Sequence, residues 1–258
     1  MTFQPEFKAV PLRRFYMPPD MVRHPHPEIS GSEANHICRV LRLSVNDTVE
    51  LFDGTGNGYR AAIVSATPQR VQFRIESPVV LQSESPVHIT LAQGMLKDRK
   101  MYSLIRQLTE LGINRWMPFY AARSVPGSGK RGWQNRLNRW EKIALEAAKQ
   151  CRRGRIPTIV PTDTLKDVII HSADTDLKII FWEEIPQAFA PPMPIPEGLK
   201  DIVIVVGPEG GFNGDEIGLA EDRGFLSAGL GPRILRAETA ALAAFTLVQH
   251  CYGDMGCK

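Results

Sequence analysis

The spacing of apolar and polar residues changes near residue 84 and predicts two domains. Before that point short runs alternate with a period of two, as in RVQFRIES at residues 70–77, a pattern typical of half-buried strands. The segment TVELFDGTGNGYRAAIV sets a turn rich in glycine between two such runs and predicts a hairpin. One helix is expected in SGSEANHICRVLRL, where Ser30 and Glu33 have the spacing of a capping box. We therefore expect residues 1–84 to form a small β-barrel domain.

From residue 85 to residue 258, runs of strand length alternate with segments of helical period. HITLAQGM predicts a strand, KMYSLIRQLTELG predicts a helix that ends at Gly112, and DIVIVV and NGDEIGLAEDRG repeat the alternation. Strands that alternate with helices imply an α/β domain with a mostly parallel sheet. The last helix, AETAALAAFTLVQHC, is apolar nearly all round. It is expected to be buried on more than one side, either within its own chain or against a second subunit.

Composition narrows the class of protein. With 43% hydrophobic and 23% charged residues, the 258-residue chain has the composition of a folded globular protein. Its apolar runs are far shorter than the roughly 20 residues of a membrane helix, and its first twenty residues lack the apolar core of a signal peptide. The four cysteines have neither CxxC nor metal-ligand spacing. We expect a cytoplasmic protein with reduced thiols, no metal and no membrane partner.

Positive charge is concentrated in one block of the chain. Residues 97–155 contain 15 Lys and Arg against 4 Asp and Glu, whereas the whole chain carries a net charge of only +3. Aromatic residues are interleaved with these cations at Trp116, Phe119, Tyr120, Trp133 and Trp140. Phosphates bind cations and unstacked bases lie on aromatic rings, so the block as a whole favours RNA as a partner. Taken one by one, many of these charges suit a solvated helix face, and most of the aromatics suit a core.

A glycine-rich stretch, VVGPEGGFNGDEIG at residues 205–218, follows an apolar run and carries a carboxylate at Glu209. A P-loop requires GxxxxGK[ST], and GPEGGFNG lacks the Lys and the hydroxyl. A Rossmann site requires GxGxxG at the first βα turn, and GPEGG breaks that spacing late in the chain. Open backbone amides beside a carboxylate suit S-adenosylmethionine, which has a cationic sulfonium and an adenine that main-chain groups can hold. The alternative is a strand-to-helix turn that needs positive φ and binds nothing.

A second stretch of this kind, LGPRILRAETAAL at residues 230–242, again joins a strand to a helix through glycine and polar residues. Two loops at the same ends of neighbouring strands can form one pocket. Together the two stretches resemble the RsmE family of 16S ribosomal RNA uridine-N3 methyltransferases, within the SPOUT superfamily. Further segments that resemble this family are RRFYMP at residues 13–18, HICRVLRLSVNDTVELFDGTGN at 36–57, KDRKMYSLIRQLTELGINRWMPFYAARSV at 97–125 and RWEKIALEAAKQCRRGRIPTI at 139–159.

The resemblance implies a fold that the pattern alone does not give. The C-terminal domain is expected to be a SPOUT-type parallel sheet with a deep trefoil knot, although knots are rare among protein folds. The N-terminal domain is expected to be a PUA-like β-barrel that helps to hold RNA. The family forms homodimers with active sites near the subunit interface, which favours a second subunit against the terminal helix.

The chemistry implied by the resemblance is the transfer of the sulfonium methyl group to N3 of a uracil. Arg236 is the expected stabiliser of developing negative charge and Glu238, or else Glu209, the expected base, with Arg233 as a third catalytic candidate. Expected cofactor contacts, mostly through the main chain, are Gly207, Pro208, Glu209, Gly210, Leu230, Gly231, Ile234 and Leu235, with Trp182 added from a strand end. Expected phosphate contacts are Arg13, Arg14, Arg39 and Arg42 in the N-terminal domain and Lys97, Arg99, Arg123, Arg152 and Arg153 in the basic block.

Two rival functions stay open at this point. The chain could be a non-catalytic RNA-binding protein with a vestigial cofactor pocket, in which case it binds no S-adenosylmethionine. It could instead act on a phosphorylated small molecule, with the glycine loops as anion sites, although Glu209 would repel such a ligand. Under the methyltransferase hypothesis the partner is 16S rRNA, in the small ribosomal subunit or a late assembly intermediate.

Overall fold

The computed structural model describes residues 12–81, 84–124, 133–191 and 198–256. Their contacts fall into two compact units, one within residues 12–81 and the other within residues 84–256. Part of the expected linker, residues 82 and 83, and part of the basic block, residues 125–132, lie outside the described residues.

The described part of the N-terminal unit is built from five strands, of which β4 and β5, with nine and ten residues, are the longest. Its elements are β1 (Arg14–Tyr16), α1 (Pro19–Val22), β2 (Glu28–Ser30), α2 (Ser32–Asn35), a π-helical segment (His36–Val40), β3 (Thr48–Phe52), β4 (Gly58–Ala66) and β5 (Arg70–Val79). The sheet order is β1-β3-β4-β5-β2, parallel between β1 and β3 and antiparallel elsewhere. Every strand contributes to one core, with members such as Phe15, Ile29, Leu51, Ile63 and Phe73. The hairpin predicted from the sequence is β3–β4.

The helix predicted in this unit forms, but not with the predicted cap. Ser30 ends β2, where it pairs with Arg70, and α2 follows Gly31, which has a φ of 70°. No side chain caps α2, so the predicted capping box of Ser30 and Glu33 is wrong. A strand that runs up to Ser30 holds this residue in the sheet, and the chain then turns at a glycine that tolerates positive φ.

The C-terminal unit alternates strands and helices as predicted. Its elements are β6 (His88–Gly94), α3 (Asp98–Glu110), β7 (Arg115–Phe119), α4 (Trp133–Gln150), β8 (Thr158–Ile159), α5 (Leu165–His171), β9 (Leu177–Phe181), β10 (Asp201–Val206), α6 (Gly214–Glu221), β11 (Leu226–Ala228) and α7 (Ala237–Tyr252). The sheet order is β11-β9-β10-β6-β7-β8, and every pairing is parallel. The α/β prediction is confirmed.

The sheet is buried on both faces, which explains the uninterrupted apolar run of β10. Alternate side chains of this strand enter different cores: Ile202, Ile204 and Val206 pack with α3, α4 and α7, whereas Val203 and Val205 pack with α5 and α6. A central parallel strand covered by helices on both sides is expected to be apolar throughout. The trefoil knot implied by the resemblance stays a prediction.

The terminal helix α7 is tied to distant parts of its own unit. Its buried residues include Ala241, Phe245 and Val248. Gln249 is fully buried; its side-chain amide donates to Leu111 O at 3.0 Å, and its carbonyl accepts from Ser85 Oγ at 3.0 Å. These bonds fix the last turn of the helix against both the start of the unit and the end of α3. None of the described helices is long and apolar enough to cross a membrane.

Candidate active site

A cavity of about 360 Å³ opens at the carboxyl edge of the parallel sheet. It is lined by Lys100 of α3, by residues 181–183 and 185 at the end of β9 and after it, and by residues 206–209 and 211 at the end of β10 and after it. Residues 230, 231 and 233–236, in the segment that leads into α7, and residues 237 and 240 of α7 complete the lining. The strand order reverses between β6 and β10, and α/β proteins bind ligands at such switch points. The volume lies within the range of about 300–1,000 Å³ that small-molecule sites occupy.

Close packing requires glycine both in the first glycine loop, residues 207–213, and at the end of β6, which the loop touches. A Cβ at Gly94 would lie 2.5 Å from Pro208 N, so the end of β6 touches the loop that follows β10. Gly211 has a φ of 67°, and a Cβ there would collide with the Glu183 carboxylate. The buried Gln93 donates from Nε2 to Gly207 O at 3.0 Å and to Gly94 O at 2.9 Å. These contacts hold the loop backbone beside the cavity in one conformation.

The second glycine loop, residues 230–236, brings cations and three large apolar residues, Leu230, Ile234 and Leu235, to the same cavity. Gly231 has a φ of 91° with open space around it, so its glycine is required by backbone conformation. Arg233 and Arg236 line the cavity, and Arg236 is the residue before the first turn of α7. Ile234 is 86% exposed although it lines the cavity. An exposed large apolar group at the mouth of a pocket is suited to contact with a ligand or with a second protein surface.

Lys100 joins the two loops through ion pairs. Its Nζ lies 3.1 Å from Glu209 Oε1 and 3.0 Å from Glu238 Oε2. The hydrogen bond to Glu238 is the main cause of a raised Lys100 pKa, and Glu209 adds to it. Burial would raise the pKa of Glu238, but its backbone hydrogen bond, Lys100 and Arg236 together lower it. Lys100 therefore stays protonated and Glu238 ionised at neutral pH.

Comparison with known proteins assigns the chain to a family. Residues 83–249 match the model of an RNA methyltransferase domain, and residues 29–76 match that of an RNA methyltransferase PUA domain. Ribosomal RNA small subunit methyltransferase E of Buchnera aphidicola is 31% identical over 96% of this chain and 96% of its own length. The chain belongs to the ribosomal RNA small subunit methyltransferase E family.

Solved structures of similar proteins agree with this assignment. A methyltransferase from Legionella pneumophila, in complex with the bound cofactor SAM, has a TM-score of 0.82 and 30% identity, and the match covers 95% of this chain and 100% of that chain. Ribosomal RNA small subunit methyltransferase E from Neisseria gonorrhoeae, bound to S-adenosyl methionine, has a TM-score of 0.82 and 29% identity. This match covers 94% of this chain and 99% of that chain. The SPOUT-type sheet and the N-terminal PUA domain expected from the sequence are confirmed.

The structure brings most of the expected cofactor and catalytic residues of this family member together. Eight expected cofactor residues line the cavity: Trp182, Gly207, Pro208, Glu209, Leu230, Gly231, Ile234 and Leu235. Gly210 does not; a Cβ there would lie 2.9 Å from Arg123, so it packs against that neighbour instead. Of the catalytic candidates, Arg233 and Arg236 line the cavity, and Glu238 adjoins it through Lys100.

The expected RNA contacts divide into exposed and buried residues. Seven of the nine are exposed: Arg13, Arg39, Arg42, Lys97, Arg99, Arg123 and Arg152. The Arg14 side chain is 5% exposed, pairs with Glu50 at 2.8 Å and lies over the Phe52 ring. The Arg153 side chain is 3% exposed and pairs with Glu84 at 2.8 Å. We correct these two assignments, because a guanidinium enclosed by its own fold is not presented to a phosphate.

Sequence reasoning missed two charged residues of the site, Lys100 and Glu183. Both line the cavity. Lys100 was counted only within the basic block, because its partners Glu209 and Glu238 are more than a hundred residues away in the chain. The FWEE strand end pointed to Trp182, and the neighbouring Glu183 could have been found from the same motif as a carboxylate at a strand end.

Proposed function

We propose that this protein transfers the methyl group of S-adenosylmethionine to N3 of a uridine in 16S ribosomal RNA. The observation that carries the proposal is the cavity at the carboxyl edge of the sheet, walled by two glycine loops, in a chain similar to methyltransferases solved with this cofactor. The choice of uridine N3 rests on the family resemblance of the two loop motifs.

The residues around the cavity fit a ligand with a cationic centre and polar edges. Gly207 and Gly231 line it, and glycine leaves backbone groups open to hydrogen bonding. Glu209 and Glu183 place carboxylates in the same lining, and a fixed negative charge attracts a sulfonium. S-adenosylmethionine, when bound, supplies an electrophilic methyl group. The residues of the chain supply position, charge and proton transfer.

Two guanidinium groups are proposed to stabilise the uracil as it loses its N3 proton. Arg233 and Arg236 line the cavity, and arginine stays charged at all pH values of interest. Negative charge that develops at N3 spreads to the neighbouring carbonyl oxygens O2 and O4, which accept hydrogen bonds from such donors. We assign the main stabilising role to Arg236 and a supporting role to Arg233.

Glu238 is the proposed acceptor of the N3 proton, with Glu209 as the alternative. A general base must be ionised before reaction, and the lowered pKa of Glu238, which its backbone hydrogen bond and Lys100 produce against the effect of burial, keeps it ionised. The same lowering makes it a weak base, so the guanidinium groups must lower the pKa of the bound uracil for the transfer to occur.

Exposed cations in each unit are proposed to contact the RNA. These are Arg13, Arg39 and Arg42 in the PUA domain and Lys97, Arg99, Arg123 and Arg152 in the methyltransferase domain. Phosphate contacts of this kind position the RNA and weaken as salt concentration rises. The substrate is proposed to be the small ribosomal subunit or a late assembly intermediate, and the protein would act in the cytoplasm, where this substrate is made.

A homodimer is proposed because the outer side of α7 is apolar and incompletely covered. Leu242 and Ala243 are half-buried and Leu247 is 36% exposed, and Ile234 lies exposed just before the helix. A helix that is apolar on its outer side is suited to pack against a second copy. Sedimentation analysis of the wild type and of Leu247→Glu tests this, and a wild-type monomer at working concentration would contradict it.

The experiment that tests the function is methyl transfer followed by mapping of the modified nucleotide. Small subunits that lack the modification are incubated with the protein and S-adenosylmethionine, and mass spectrometry locates the methyl group. We expect one uridine to be methylated at N3, and Arg236→Ala to lower the rate by about 10²–10³ with cofactor affinity retained. Full activity of Arg236→Ala would disprove its role.

Cofactor binding by calorimetry separates the proposed function from its rivals. We expect saturable binding of S-adenosylmethionine that is lost in Gly231→Val, where a β-branched residue is forced to a φ of 91°. A well-folded wild type that binds RNA but no S-adenosylmethionine would favour the non-catalytic RNA-binding protein. Saturable binding of inorganic phosphate instead would favour the enzyme of a phosphorylated small molecule.

A further inference from the structure

One ammonium group holds together three parts of the site that are far apart in the chain. Lys100 lies in the first turn of α3, Glu209 in the loop after β10, and Glu238 in the first turn of α7. Both carboxylates lie within 3.1 Å of Lys100 Nζ. The three side chains are 26% to 31% exposed, so the cluster is shielded on most sides and its charges are less screened than those of surface ion pairs.

The ammonium group of Lys100 lies close enough to both carboxylates to offset the repulsion between them. Because each lies about 3 Å from the same nitrogen, their bonded oxygens are at most about 6 Å apart. Two carboxylates at such a distance disfavour ionisation of each other, and the pKa of one of them rises unless a cation compensates. Lys100 is placed between them as that cation.

Other charged groups face this cluster from each element packed around it. Arg236 and Arg233 lie on the segment that leads into α7, and Glu183 follows β9. Arg236 contributes to the lowered pKa of Glu238, after burial, the backbone hydrogen bond and Lys100. Asp98 on α3 itself is paired with Arg136 at 3.2 Å. The direct hydrogen-bonding partner that Glu209 and Glu238 share is Lys100.

We propose that Lys100 is a positioning residue that fixes the charge and the placement of Glu209 and Glu238, and so keeps the affinity for the sulfonium cofactor constant through the neutral pH range. The inference rests on the proposed function, because it concerns S-adenosylmethionine. Lys100 acts through the carboxylates: it ties the first glycine loop to the start of α7 and holds the Glu209 carboxylate at the cavity wall.

Calorimetry with two ligands tests the inference. S-adenosylmethionine carries the sulfonium charge, whereas S-adenosylhomocysteine has a neutral thioether of nearly the same shape, so the ratio of their dissociation constants reports the charge of the cavity wall. Both are measured from about pH 6 to pH 8, the range in which a carboxyl pKa raised by a neighbouring charge would be crossed. The proteins are the wild type, Lys100→Met, Lys100→Arg and Lys166→Met, which removes an exposed cation from α5.

We expect the ratio of the two dissociation constants to stay constant with pH in the wild type, in Lys100→Arg and in Lys166→Met. Lys100→Met is expected to bind both ligands about tenfold more weakly, equivalent to about 1.4 kcal/mol. Its preference for the sulfonium ligand should rise with pH, as the second carboxylate ionises. The double variant Lys100→Met/Glu238→Gln removes one of the like charges and is expected to restore a constant ratio.

Three results would overturn the inference. The first is binding of both ligands by Lys100→Met within twofold of the wild type. The second is weaker binding of both ligands by Lys100→Met with a ratio independent of pH, which indicates packing only. The third is the same behaviour in Lys100→Arg as in Lys100→Met, which excludes charge as the cause. If Lys100→Met does not fold, the double variant decides, since a constant ratio supports the inference and a pH-dependent one refutes it. A folded wild type that binds neither ligand instead refutes the proposed function itself.

Discussion

Replacing Arg153 with methionine removes a buried guanidinium that ties three segments of the methyltransferase domain together. Arg153 Nη1 donates to Thr109 O at 3.0 Å and to Ile113 O at 2.8 Å, and Nη2 pairs with Glu84 Oε2 at 2.8 Å. Thr109 lies in the last turn of α3, where carbonyl groups lack helical partners and a cation is favoured by the helix dipole. Methionine fills similar space but satisfies none of these acceptors.

The expected loss follows from the burial of the pair. The Arg153 side chain is 3% exposed and that of Glu84 is 21% exposed. Removal of one partner of a buried, hydrogen-bonded ion pair costs about 3–5 kcal/mol, because the other charge is left unpaired. For a domain of this size each kcal/mol lowers the melting temperature by about 2–4 °C, so we expect a fall of roughly 6–20 °C.

Calorimetric melting and RNA binding together decide the role of Arg153, with Arg152→Met as the matched control. Arg152 is exposed at the adjacent position, so its replacement is expected to change stability by less than about 0.5 kcal/mol and to weaken RNA binding. Arg153→Met is expected to lower the melting temperature and to leave RNA binding unchanged, when binding is measured at a temperature at which the variant is folded. A melting temperature within 2 °C of the wild type, with weakened RNA binding, would refute the structural role and restore the phosphate contact.

Three further predictions concern other parts of the molecule. Gly211→Ala is expected to lower the free energy of unfolding by about 1–2 kcal/mol, because the φ of this residue is 67°. The variant is also expected to bind S-adenosylmethionine more weakly, because the new methyl group displaces Glu183. An unchanged melting temperature and unchanged cofactor binding would contradict this. Asp53→Ala should destabilise the N-terminal unit by about 1–3 kcal/mol in urea unfolding, since Asp53 accepts from Thr55 N at 2.8 Å and from Asn57 Nδ2 at 2.9 Å; a loss below about 0.5 kcal/mol would refute it. The pKa of Glu238 is lowered from 4.5 by its backbone hydrogen bond and Lys100, against the effect of burial. Its carboxylate therefore stabilises the fold above about pH 4.5, and the advantage of the wild type over Glu238→Gln should vanish as the pH falls below that value; an advantage that persists at low pH would show that the charge is not its source.

Much of the fold followed from the sequence because apolar spacing reports burial directly. The spacing of Met101, Leu104, Ile105, Leu108 and Leu111 predicts the helix α3. The first four are fully buried, whereas Leu111 lies just after the helix and is half-buried against the same core. The capping box at Ser30 failed because a spacing rule for helix starts ignores competition from a neighbouring strand. β2 takes Ser30 into the sheet, and this pairing depends on β5, which follows much later in the chain.

The sequence predicted the glycine loops and the arginines of the candidate site, but it missed Lys100 and Glu183. Glycine loops leave a local signal, and both loops lie at the cavity. Lys100 leaves none, because its role depends on carboxylates that only the folded sheet brings near it. The count of positive charge in the basic block grouped Arg152 with Arg153, although Arg152 is exposed and Arg153 is buried. A charge count contains no information on burial.

The ties of α7 to Ser85 and Leu111 have a consequence for the synthesis of this protein on the ribosome. The chain emerges from its N-terminus, so the PUA domain, with its own core, is complete long before the last helix has been translated. The cavity lacks one of its walls until residues 230–240 are available, and α7 is fixed only when Gln249 reaches partners made more than a hundred residues earlier. A nascent chain, or one that is terminated before α7, therefore has a folded N-terminal unit but an incomplete cavity.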